Sequence, residues 1–479
     1  MATTVNLRKL LHRKSWEMCT PLPVNTAAGS FIVSDKFNLI PSSLAFAMLN
    51  YSAVYRYDGD EDSWIQIPNS GLTGTFGAGA CGEFRALSAM GGVFTQTATA
   101  GGTASITTNR TIVRSLAGRR IRVIAGTGVG FDGTILKNTI GANAVITTSG
   151  STVFDNTTQY QIFAGSFWVQ GAGASSGFGV YDVATNAWTA RAATGTTWAT
   201  DGQLVATIGS VAALATGTAT SATSTTLVNS GKSWLTNQWA NYQVRITAGV
   251  GIGQIRTISS NTGSTLTVSA AWTVTPDATS VYAIEGNEDF FYLIGNNAVT
   301  LYRYSVSANT WTTLTPSAAR AGAAAAGASL NWIDGVSAWT LDSNEQPFLM
   351  TTGLYAQNGR YLLSFRGGAT STLDAYDIAA NTWISNISYG YQMETFTTGT
   401  FSTDADGGIF LCKEATGRIF KFDVGDWIMK SFATNVLPQG AAVVGNKMFF
   451  LPYTDGGTKI QFLYSLNHTR AELLRMLIV

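Results

Sequence analysis

One spacing constrains this chain more than any other feature: a tyrosine followed seven residues later by a tryptophan. It occurs at Tyr57 and Trp64, Tyr181 and Trp188, Tyr304 and Trp311, and Tyr376 and Trp383. The surrounding segments read YRYDGDEDSWIQI, VYDVATNAWTA, YRYSVSANTWTTL and AYDIAANTWIS. A shortened copy, FKFDVGDWIMK, carries Trp427. An apolar run ends at the aromatic, a polar stretch with Asp or Asn follows, and the Trp opens a return run. This is the pattern of a β-hairpin, and it brings Tyr and Trp together across the ladder. A chain that repeats one hairpin is built from repeated sheets.

The intervals between these tryptophans show where material has been added. Trp64 to Trp188 is 124 residues and Trp188 to Trp311 is 123, whereas Trp311 to Trp383 is 72 and Trp383 to Trp427 is 44. A repeat of this kind takes about 45–50 residues, so each of the first two intervals holds about 70 more than it needs. The extra material is itself duplicated. GRRIRVIAGTGVG at 118–130 matches NYQVRITAGVGIG at 241–253, aligning Arg122 with Arg245 and Gly126 with Gly249. Downstream, Asn138–Gly165 runs parallel to Asn261–Gly286. The offset of 123 residues equals the repeat interval, as expected if a repeat and its insert were copied together. β-branched and polar residues alternate in IRVIAG, VRITAG and TLTVSA, which predicts strands. The inserts are read as small β-domains at 98–165 and 213–286.

The Y-D-x-x-x-N-x-W segments resemble the outer hairpin of a kelch-type β-propeller blade. Gly91-Gly92 and Gly367-Gly368 match part of that family's glycine doublet. The resemblance implies an all-β fold: a kelch-like β-propeller of about six blades over 21–97, 166–212 and 287–468, carrying two inserted β-domains. Tyr57, Trp64, Tyr181, Trp188, Tyr304, Trp311, Tyr376, Trp383 and Trp427 would be its structural signature, and Arg122, Gly126, Arg245 and Gly249 that of the inserts. Short helices are expected at both ends. Leu7, Leu10 and Leu11 alternate with basic residues in an N-terminal arm, residues 1–20, and Thr469 can cap an amphipathic helix over 469–479.

Composition narrows the chemistry. Only 12% of residues are charged, with a formal net charge of +1, against roughly 25% charged in ordinary domains. There is no basic surplus to neutralise phosphates, which argues against nucleic acid as a partner. His12 and His468, the two histidines, lie near opposite ends and cannot build a multi-histidine metal centre. Cys19, Cys81 and Cys412 lack zinc or disulfide spacing and are expected to be buried thiols. The glycine runs at 126–130 and 249–253 sit between strand patterns, whereas a dinucleotide loop must open a helix, so tight turns are expected. The acidic run Asp58, Asp60, Glu61 and Asp62 hints at a calcium loop. Asn69 stands where an EF-hand needs its glutamate, so a solvated turn is the expectation; Asp404 and Asp406 are read alike. No apolar stretch of about 18 residues predicts membrane insertion, and the opening lacks the apolar core of a secretory signal.

The opening, MATTVNLRKLLHRKSWEMCTP, and the insert segment AGVGIGQIRTISSNTGSTLTVSAAW resemble proteins of tailed bacteriophages, the latter a module of tail and fibre proteins. This implies a non-enzymatic virion structural protein, without catalytic residues, metal or cofactor. It would be assembled in the host cytoplasm with other virion proteins and copies of itself. The alternative it implies is a tail module that binds a host-surface glycan, since thirteen Trp and seventeen Tyr could offer stacking surfaces.

Overall fold

A computed structural model describes residues 16–464, apart from short connecting stretches, of which the longest are 35–43, 86–94, 333–344, 390–399 and 453–460. Six four-stranded antiparallel sheets follow one another. Blade 1 comprises Phe31–Ser34, Leu44–Leu49, Ala53–Asp58 and Ser63–Gln66. Blade 2 comprises Cys81–Arg85, Ser166–Gln170, Phe178–Asp182 and Ala187–Arg191. Blade 3 comprises Gln203–Thr207, Phe290–Ile294, Leu301–Ser305 and Thr310–Thr313, and blade 4 Asn331–Trp332, Tyr361–Phe365, Leu373–Asp377 and Thr382–Ile387. Blade 5 comprises Thr400–Ala405, Gly408–Lys413, Arg418–Asp423 and Ile428–Ala433. Blade 6 is Pro438–Val444, Lys447–Pro452 and Gln461–Tyr464, completed by Trp16–Met18 from the other end of the chain.

The first strand of each blade neighbours the first strands of the blades on either side, and blade 6 meets blade 1, so the ring closes. The molecule is a six-bladed β-propeller. Its closure joins the two ends of the chain: Trp16, Glu17 and Met18 pair with Leu463, Phe462 and Gln461. Residues 16–18 are therefore strand, not part of an N-terminal helix. Extended backbone here completes a sheet that would otherwise end in an open edge. Thr20, also within the expected helical arm, is a bend; residues 1–15 and 19 and the expected helix at 469–479 lie outside the described residues.

The apolar cores lie between blades. One joins Phe46, Phe84 and Phe167 of blades 1 and 2; another joins Trp168, Phe291, Tyr304 and Trp332 across blades 2 to 4. Polar ties cross the same seams. Fully buried Arg85 of blade 2 donates to the Thr207 carbonyl of blade 3 at 2.8 Å, and its guanidinium lies 4.6 Å from the Phe291 ring centre. Each insert has a core of its own and a seven-stranded sheet, running from Thr95–Thr97 to Gln159–Ile162 and from Ala215–Thr218 to Val281–Glu285. The two sit in the same place: each joins the first strand of its blade to the second, in blades 2 and 3.

Candidate interaction surface

The Tyr and Trp of the repeated hairpin stand directly opposite each other in four blades. Their rings are 4.9–5.4 Å apart, a contact that adds about 0.5–1.5 kcal/mol to simple burial. The intervening turn ends in Asp62, Asn186, Asn309 or Asn381, each left-handed with φ between 47° and 56°. Asn and Asp tolerate this backbone better than other non-glycine residues. The same side chain accepts the tyrosine hydroxyl, at 2.5 Å for Tyr57 and Tyr181 and 2.7 Å for Tyr304 and Tyr376.

The Trp then reaches the preceding blade. Trp64, Trp188 and Trp311 donate their indole N–H groups to the carbonyls of Thr20, Pro68 and Ala192, in the chain leaving that blade's outermost strand. Trp383 departs from this. Its indole N–H has no partner among the described residues, and its ring lies under the Arg320 guanidinium at 5.0 Å. The aromatic pair is thus an inter-blade clasp. Asp62 belongs to it: its carboxylate accepts Tyr57 Oη and the Thr20 amide. In blade 5, Met429 stands opposite Phe422, where the other blades have Trp. Trp427 is therefore not the counterpart of the other tryptophans, and it lies outside the described residues.

The insert residues mark equivalent structures. Gly126 and Gly249 have φ of 75° and 78°, and an added Cβ would lie 1.9 Å from the Thr157 carbonyl oxygen or 2.1 Å from that of Thr279. Opposite them lies a shared turn that sequence reading passed over, although DNTT and DATS signal it. Asp155 accepts the Thr157 amide and hydroxyl, and Asp277 accepts those of Thr279. These bonds hold both carboxyls below the usual range. Arg122 and Arg245 pair differently, with Asp132 at 3.4 Å and Glu285 at 2.6 Å. The two glycine runs face each other: a Cβ on Gly130 would lie 2.4 Å from Ile252 Cδ1, and one on Gly253 2.6 Å from Val129 Cγ2.

Antiparallel alternation sends the connections between first and second strands, and the Tyr–Trp turns, to one face of the ring. Blades 2 and 3 carry the inserts there, and blade 4 carries the connection 333–360. Of the nine exposed large apolar residues described, seven lie on these three connections: Leu136, Ile140, Val145 and Val153 on the first insert, Val250 and Val274 on the second, and Leu349 on blade 4. By contrast, none of the tryptophans whose burial is described is exposed.

Among the described residues no group of three or more His, Cys, Asp or Glu could hold a metal. Cys81 is buried, and burial together with Glu83 pushes its thiol pKa up, away from reactivity. A crevice where the second insert meets blades 3 and 4 is lined by Thr207, Asn241, Tyr242, Asn287, Trp332 and Ile378. Its polar groups bond one another: Asn241 Nδ2 to the Ile378 carbonyl, Asn287 Nδ2 to the Asn241 carbonyl, and Thr207 Oγ1 to the Asn287 carbonyl. It is a joint between parts.

No family model and no curated protein matches the chain. Among solved structures, it is similar to a catalytically inactive H270A virginiamycin B lyase from Staphylococcus aureus with quinupristin. Identity is 10% and the TM-score 0.37, over 94% of this chain and 99% of that one. A calcium-binding protein, regucalcin, from Agrobacterium tumefaciens is similar at 9% identity and a TM-score of 0.35, over 94% of each chain.

Proposed function

We propose that this protein is a non-enzymatic structural component of a tailed-phage virion, with its propeller as a rigid frame and its insert-bearing face as the surface that meets other subunits. One observation supports the assembly role above others: the exposed apolar residues gather on the three adjoining connections of one face. Exposed apolar surface concentrated on one face offers a contact site for a neighbouring subunit. Low charge fits extensive static interfaces, whose buried centres are depleted of charged residues. The virion setting rests on the resemblance of the opening segment and the inserts to phage proteins. The glycan-receptor alternative has less support, because the described tryptophans serve in packing.

The test is to purify particles of a phage encoding this chain, identify its proteins by mass spectrometry and locate the chain in electron density. Stoichiometric presence at a fixed position is expected. Absence from the particle would sink the proposal. In a companion measurement, Leu136→Ser with Ile140→Ser is expected to leave the purified fold intact and reduce incorporation; unchanged incorporation would remove the patch from the assembly role.

A further inference from the structure

The second insert grips blade 4 through one acidic residue. Glu345, on the connection between the first two strands of that blade, accepts Lys232 Nζ at 2.6 Å and the Thr216 amide at 3.1 Å on one carboxylate oxygen, and Trp234 Nε1 at 2.9 Å on the other. Its backbone carbonyl accepts Gln238 Nε2 at 2.5 Å. Both side chains of the ion pair are 14% exposed. Glu345 has φ of 64°, a conformation that a long side chain adopts rarely and that the surroundings must hold in place. Thr216 lies on an edge strand of the insert's sheet, so its amide faces the carboxylate where another strand would pair.

We infer that the second insert carries a carboxylate-binding cup, formed by Lys232, Trp234, Gln238 and the Thr216 amide, whose ligand is an acidic residue with left-handed backbone. Glu345 fills the cup from within the same chain and sets the insert's position on the propeller. Charge-assisted donors converging on one carboxylate make the strong class of hydrogen bond, and the bond from Gln238 to the Glu345 carbonyl adds a backbone tie that truncating the side chain leaves in place. The first insert has diverged here. Its counterpart of Trp234 is Ile112: the two donate equivalent backbone bonds, to Gly263 and Gly141, but Ile112 has no side-chain donor. The cup does not depend on the virion proposal and is tested on the isolated chain.

Hydrogen exchange at the Thr216 amide reads the cup directly. Glu345→Ala is expected to speed it about tenfold, with Glu345→Gln intermediate, while the Tyr361–Phe365 strand keeps its protection. Acetate added to the alanine variant, at fixed ionic strength against chloride, is expected to slow the exchange again. Unchanged Thr216 exchange in the alanine variant overturns the inference, as does equal acceleration in Tyr361–Phe365, which would report general destabilisation. Failure of acetate to restore protection overturns the cup as a carboxylate site.

Discussion

Gly249 and Gly195 share a backbone angle but not its consequences. Both have positive φ, 78° and 71°, yet an added Cβ at Gly195 meets nothing within 4 Å, while one at Gly249 lies against the Thr279 carbonyl. Gly195→Ala is expected to cost about 1 kcal/mol, the conformational penalty alone. Gly249→Ala is expected to cost about 2–3 kcal/mol, because backbone must also move. Urea unfolding of the two variants checks this, and equal losses would count against the close approach. The turn asparagines show the same economy of means: one left-handed residue both bends the hairpin and accepts the tyrosine hydroxyl.

At the scale of elements, the hairpins were legible because their determinants are local. Tyr, turn residue and Trp lie within eight positions, and a four-residue turn dictates which residues face each other. At Trp427 the aromatic pattern is misleading, because the register sets Met429 opposite Phe422. The inserts were legible through their duplication. Their Asp-Thr turns predict a pH response. The Asp155 and Asp277 carboxyls have folded pKa values below the unfolded one of about 3.9. They therefore add stability above pH ~4 that is lost as pH falls through the folded values. Asp155→Asn with Asp277→Asn should flatten the loss of stability between neutral pH and about pH 3, as followed by thermal melts; an unchanged slope would show that the turns do not contribute. Glu345 left no trace in the sequence, since its partners lie more than a hundred positions away.

For the whole molecule, closure is the decisive contact. Blade 6 takes its fourth strand from Trp16–Met18, so the ring is held by pairing between distant parts of the chain. Deleting residues 1–18 should expose the outer edge of Gln461–Tyr464 and lower the melting temperature. It should also promote association through that edge, read by light scattering. A monomer of unchanged melting temperature would show that inter-blade packing closes the ring alone. The sequence by itself determined the number of kinds of part, the hairpins and the duplicated insert, because periodicity, turn residues and strand alternation act over a few positions. Tertiary structure alone decided the conversion of the expected helix end at 16–18 into a closing strand, the gathering of exposed apolar residues on one face, and the seat of Glu345 against Lys232 and Trp234. Those depend on which distant surfaces a closed ring of blades brings together.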